Sequence, residues 1–160
     1  MIAALLLTLI GTGPEGPPVV VTVGAAGVSL AVGEGGALEV VATIRRGFRV
    51  QANPASRPFL VPAQLELEPN EGLELGPPEY PPGKPYRLRG TTEDLSVYEG
   101  EVAIRVPVKA RVGPVAGTAD EVVVVGRLRY QACNERVCLR PAEAPVEIRV
   151  RRRAGQPAPR

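Results

Sequence analysis

The sequence contains no histidine and no tryptophan, and its only methionine is Met1. Without imidazole there is no Ser-His-Asp or Cys-His catalytic pair and no histidine metal ligand. Copper sites built from thioether plus imidazole are excluded on the same ground. Two cysteines fall short of a closed structural zinc site unless carboxylates supply the remaining ligands. No metal and no cofactor is therefore expected. Aromatic residues are 4% of the chain, so any core must be aliphatic, and 44% hydrophobic residues suffice to build one. The net charge is only +2, and it arises from 17 Arg and 2 Lys against 17 acidic residues. A uniformly basic nucleic-acid-binding surface is excluded by that balance. At 160 residues the chain is sized for one domain.

The one long apolar run is Ile2–Ile10 (IAALLLTLI). As a helix it spans about 14 Å, less than half of a bilayer core of roughly 30 Å. Its length suits the hydrophobic stretch of a secretory signal, although no Lys or Arg precedes it. A buried first strand and a misplaced start codon are the alternatives. Residues 1–13 are thus read as a signal or hydrophobic N-terminal segment, and 14–18 as a linker. No stable membrane span is expected in the mature chain.

Beyond residue 18 the dominant period is two. Leu38, Val40, Ala42 and Ile44 alternate with polar neighbours in 37–45. So do Leu65 and Leu67 in 64–68, Val102 to Val108 in 101–109, and Val146, Ile148 and Val150 in 146–150. Residues 121–132 begin apolar on both faces and then alternate; 19–23 and 28–32 are weaker candidates. No window has the period of an amphipathic helix. Six or seven strands joined by Gly/Pro turns predict an all-β, antiparallel β-sandwich over 19–150. Two stretches break the pattern: 51–63, and 76–94 with its five prolines, which disfavour sheet pairing. Residues 151–160 are expected to form a basic, disordered tail. Arg149–Arg153 offers anionic surfaces a basic patch, against the plainer reading of a solvated chain end.

Cys133 and Cys138 lie in QACNERVCLRP, between the strand ending near Tyr130 and the last strand. Four intervening residues are too many for a thioredoxin-type C-x-x-C, but a turn can bring such a pair to bonding distance. Arg136 and Arg140 are cationic neighbours that would favour thiolate, with Glu135 opposing. Spacing alone leaves two readings open: an exchange site, or a structural bridge in a non-catalytic protein-binding module.

Four segments carry a family likeness: GFRVQANPASRPFLVP (47–62), GPPEYP (76–81), VYEGEVAIRVPV (97–108) and LRYQACNERVCLRPAEAPVEI (128–148). Together they resemble the N-terminal periplasmic domain of the DsbD-type thiol:disulfide interchange proteins, the disulfide bond corrector domain. The resemblance implies an immunoglobulin-like β-sandwich and carriage of two electrons outside the cytoplasm. Cys133 and Cys138 would be the redox pair, with Cys138 joining partners and Cys133 resolving the mixed disulfide. Tyr130 and Gln131 would help hold the loop. A cap loop would correspond to about Leu88–Leu95, including Arg89 and Gly90. Family caps place aromatics over the sulfurs; this stretch has none, although Tyr86 and Tyr98 flank it. Arg49 stands where the family often has His. The implied partners are thioredoxin-like proteins and a separate membrane electron carrier, served by a periplasmic monomer.

Overall fold

In a computed structural model of the chain, residues 19–88, 90–111 and 121–153 are described. The expectations for 1–18, for Arg89 and for 154–160 lie outside those residues. The described elements are all strands: β1 (Val21–Ala25), β2 (Val28–Ala31), β3 (Gly35–Ile44), β4 (Arg49–Gln51), β5 (Gln64–Leu67), β6 (Leu73–Leu75), β7 (Lys84–Arg87), β8 (Asp94–Tyr98), β9 (Glu101–Ala110), β10 (Glu121–Tyr130), β11 (Ala132–Cys133) and β12 (Ala142–Arg153). Among the described residues no helix is long and apolar enough to cross a membrane.

Two sheets form the sandwich, ordered β1-β3-β9-β6 and β2-β12-β10-β5. Alternation dictates their inner faces. Leu38, Val40, Ala42 and Ile44 of β3 are buried with Val102, Ile104, Val106 and Val108 of β9. Val122, Val124 and Leu128 of β10 and Ala144, Val146, Ile148 and Val150 of β12 supply the other layer. Each buried Val, Leu or Ile side chain contributes roughly 1.5–3 kcal/mol relative to exposure. The outer faces carry charge pairs such as Arg127–Glu66 at 2.6 Å.

Three features depart from the sequence expectation. First, β2 joins β12 in parallel, Val28 opposite Val150, so the sandwich is not wholly antiparallel. Second, β12 runs past residue 150 to Arg153, so the expected tail begins inside a sheet. Arg153 lies 3.7 Å from Glu34, Arg152 donates to the Arg111 carbonyl, and Arg149 meets Glu121 and Glu147. The basic run is thus engaged with neighbours rather than presented as one free patch. Third, a small third sheet exists, ordered β11-β4-β8-β7, which the sequence pattern did not indicate; its edge strand β7 falls within the proline-rich 76–94 stretch. Pro85 is tolerated in β7 because that strand is the sheet's edge and needs no ladder donor on its outer side.

The third sheet caps one end of the sandwich. Val50, Ala52, Tyr98 and Ala132 turn inward onto the core. The Tyr98 hydroxyl donates to the Pro81 carbonyl at 2.7 Å and accepts from the Asn53 amide. The Tyr80 hydroxyl accepts from the Leu65 amide at 2.8 Å. Burial raises the pKa of both phenols, keeping them neutral donors and acceptors. Tyr98 thus holds the 51–63 crossing at Asn53, where it leaves the third sheet, and Tyr80 holds β5, where it enters the second.

Candidate functional site

The cysteines sit where one chain segment changes sheets. β10 ends at Tyr130 in the second sheet, and Ala132–Cys133 then pairs with Val50 and Arg49 of β4. The chain turns at 134–137 and returns, so that Cys138 faces Cys133 across an antiparallel bridge. Leu139 N donates to Ala132 O at 2.8 Å and Asn134 N to Val137 O at 2.9 Å. Cys133 and Cys138 therefore occupy the non-hydrogen-bonded pair between those two rungs, where Cα atoms lie nearest. Their Cα atoms are 4.0 Å apart and the sulfurs are bonded. Asn134 shapes the turn: its Oδ1 accepts from the amides of Arg136 and Val137.

The two sulfur-bearing residues differ in exposure. Cys133 is half-buried and Cys138 is exposed. Both line a cleft of about 220 Å³ over the outer face of the third sheet. Strand alternation puts Arg49 and Gln51 of β4, Leu95 and Val97 of β8, and Tyr86 of β7 on that face. Leu88 and Leu95, the two ends of the expected cap loop, are both in its lining. The loop is drawn tight by Gly90, at φ +81°, and by Thr91, whose amide and hydroxyl both donate to the Leu88 carbonyl. Arg87 and Asp94 clamp its base through two hydrogen bonds of 2.8 and 3.0 Å. Hydrogen bonding from Arg87 holds the Asp94 carboxyl below its usual range.

A second wall was not anticipated. The 51–63 crossing brings Arg57, Phe59 and Leu60 to the same cleft. Phe59 is 80% exposed, the most exposed large apolar side chain described. Arg57 meets Glu93, in the 88–95 loop, at 2.6 Å, joining the two walls. Two aromatics, Tyr86 and Phe59, line the cleft from outside the 88–95 stretch. The only sequence hint was one of two Phe residues set in a proline-rich, non-periodic stretch.

Tyr130 is buried in the core, two residues before β11 begins. The Gln131 side-chain amide donates to the Leu139 carbonyl at 3.2 Å, tying the two arms of the cysteine hairpin. Arg136 and Arg140 are exposed and do not line the cleft. Among the described residues, the cations that do are Arg49 and Arg57. The Arg49 guanidinium lies 4.0 Å above the Tyr86 ring and 3.4 Å from Glu99, which fixes its place beside the sulfurs. Among the described residues no three His, Cys, Asp or Glu side chains converge as a metal site. A larger, open groove of about 460 Å³ along Leu67, Asn70, Leu75 and Val106 holds no nucleophilic side chain.

The model of the family described as "Thiol:disulfide interchange protein DsbD, N-terminal" matches residues 34–149. The chain belongs to the DsbD N-terminal family. That match takes in both cysteines and strands from all three sheets, and begins after β1 and β2. Among solved structures, the N-terminal periplasmic domain of ScsB from Proteus mirabilis is similar, with a TM-score of 0.53 and 14% identity over 85% of this chain. The chain covers 48% of that structure. A cohesin–dockerin complex from Clostridium thermocellum aligns at a TM-score of 0.43 and 9% identity, over 88% of this chain and 99% of that one. No curated protein sequence matches significantly. As a member of the DsbD N-terminal family, the chain pairs an all-β sandwich with a bonded cysteine pair at one end.

Proposed function

We propose that this domain relays two electrons through Cys133 and Cys138, to or from thioredoxin-like proteins outside the cytoplasm, with a separate membrane electron carrier at the other end of the chain of transfers. The observation that carries the reading is the asymmetry of the pair. Cys138 is open to an incoming disulfide, while Cys133 sits behind it in the cleft. In the delivering direction, Cys138 thiolate attacks one sulfur of the partner's disulfide and releases the other as thiolate. A mixed disulfide joins the two proteins. Cys133, as thiolate, then attacks Cys138, expelling the partner's second sulfur. The domain ends as a disulfide and the partner as a dithiol, so two electrons have moved. Arg49 and Arg57 favour the thiolate form at the moment of attack. Tyr130 and Gln131 position the hairpin and touch no reacting atom.

The test is a trapping experiment. Reduced Cys133→Ser domain, mixed with an oxidised thioredoxin-like protein, should accumulate a dithiothreitol-sensitive 1:1 adduct on a non-reducing gel. Cys138→Ser should accumulate far less. Equal trapping by both variants, or by neither, would defeat the assignment. A reduction potential below about −300 mV would mark an inert structural bridge instead.

A further inference from the structure

Gln51 is the one buried polar residue among the described residues, 2% exposed. Its Oε1 is buried and has no hydrogen-bond partner among the described residues. A carboxamide oxygen out of contact with water and without a donor is costly, and a redox-linked role is one of the explanations such an atom calls for. Gln51 is not in the fold's interior at large. It lines the disulfide cleft. It lies on β4, two residues from Arg49, which is the register partner of Cys133. Residues two apart on a strand share a face, so Gln51 and Cys133 project from neighbouring strands into one space. Cys138 lies on the far arm of the hairpin, one strand further from β4.

A disulfide sulfur has no proton to give, whereas a thiol has one. We infer that Gln51 Oε1 accepts a hydrogen bond from the Cys133 thiol in the reduced domain, and that Gln51 thereby sets the redox equilibrium of the pair. Gln51 is a positioning residue. Its bond keeps Cys133 protonated and in place while Cys138 is the free nucleophile, and in that respect the inference rests on the proposed division of labour. The balance is complete: two low-molecular-weight thiols give two electrons and two protons to the Cys133–Cys138 disulfide. They leave as their own disulfide, and one of the two new S–H groups on the domain meets Oε1. The oxidised state carries the unmet acceptor and the reduced state relieves it. Removing the acceptor must therefore favour the oxidised state.

The experiment equilibrates the whole domain, and Gln51→Leu and Gln51→Met variants, in glutathione buffers of graded ratio. Both variants should move the dithiol–disulfide equilibrium toward disulfide by about tenfold, the size of one buried hydrogen bond, which is about 30 mV more negative. The oxidised variants should melt no lower than the oxidised parent. In the Cys138→Ser background, where Cys133 is a free thiol, the infrared S–H stretch should shift to higher frequency when Gln51 becomes Leu. An equilibrium within twofold of the parent for both variants, or an unmoved S–H band, overturns the inference. No thioredoxin-like partner takes part, so the outcome is separate from that of the trapping test. A domain that traps no partner yet shows the tenfold shift loses the relay and keeps the Gln51 bond; the reverse pattern loses only the bond.

Discussion

Opening the Cys133–Cys138 bond should leave the sandwich folded, and the size of the effect follows from the hairpin. The cysteines are separated by 5 positions. In the chain-entropy treatment a loop of that size removes about 7 cal/mol/K from the unfolded ensemble, or about 2 kcal/mol at 25 °C. The native hairpin keeps other supports when the bond opens. The Ala132–Leu139 and Asn134–Val137 backbone bonds, the Asn134 turn and the Gln131–Leu139 tie do not involve sulfur. A domain of this size commonly has about 5–15 kcal/mol of stability. The reduced form should therefore retain a native far-ultraviolet circular dichroism spectrum and unfold cooperatively. In urea its unfolding free energy should be about 2 kcal/mol lower, with a melting temperature roughly 5–10 °C lower. A Cys133→Ala/Cys138→Ala double variant should match it within about 1 kcal/mol. A loss above roughly 4 kcal/mol, or a reduced domain without a cooperative transition, would refute the reasoning. The bond would then be holding the fold together rather than residing on it.

Other outcomes follow from single contacts. Phe59→Ala should slow mixed-disulfide formation with a thioredoxin-like partner by roughly fivefold or more, as for an exposed aromatic anchor; the glutathione equilibrium should be unchanged, and an unaltered capture rate would count against a docking role. Asp94 should titrate below 3.8 by carbon-detected NMR, and Arg87→Gln should return it towards that value. The lowered carboxyl makes its contribution at the base of the 88–95 loop fully present above the unfolded value and lost as pH falls through the lower folded one; an Asp94 that titrates normally would show that Arg87 does not clamp it. Gly126→Ala should destabilise by about 1–3 kcal/mol in urea unfolding, because a Cβ there would sit 2.9 Å from Leu67 Cα and press on the Glu66 carbonyl oxygen. An unchanged midpoint would show that β5 and β10 can move apart.

The sandwich strands were legible because they are long and face water on one side. Leu38–Ile44, Val102–Val108 and Val146–Val150 each repeat the two-residue pattern several times, which no turn or helix imitates. The third sheet was not legible for the opposite reason. Its strands are two to five residues long, so the period cannot establish itself. Gln51 opens the 51–63 stretch that breaks the pattern, although it is as buried as the core. Prolines 77, 78, 81, 82 and 85 argued against pairing, yet only Pro85 falls within a strand, on an edge. The cysteines were visible as the only thiols. Their cleft was not, since Arg57, Phe59 and Leu60 reach it from a segment more than seventy positions away in sequence. Arg136 and Arg140, adjacent to the cysteines in sequence, are exposed and outside the cleft lining, whereas Arg49 and Arg57 reach it by tertiary folding.

The course of β12 has a consequence for anyone attaching this domain to something else. The strand starts opposite Tyr130, close to the sulfurs, and runs 12 residues to Arg153. At about 3.4 Å per residue, its far end lies roughly 35 Å from where it began. That end is held by the Val32 amide donating to the Arg153 carbonyl. The first described strand does the reverse: the Val20 carbonyl accepts from the Arg45 amide, four positions before Arg49. A bead, dye or fusion joined after Arg153 would leave the cysteine mouth unobstructed, whereas one joined ahead of Val20 would hang beside it.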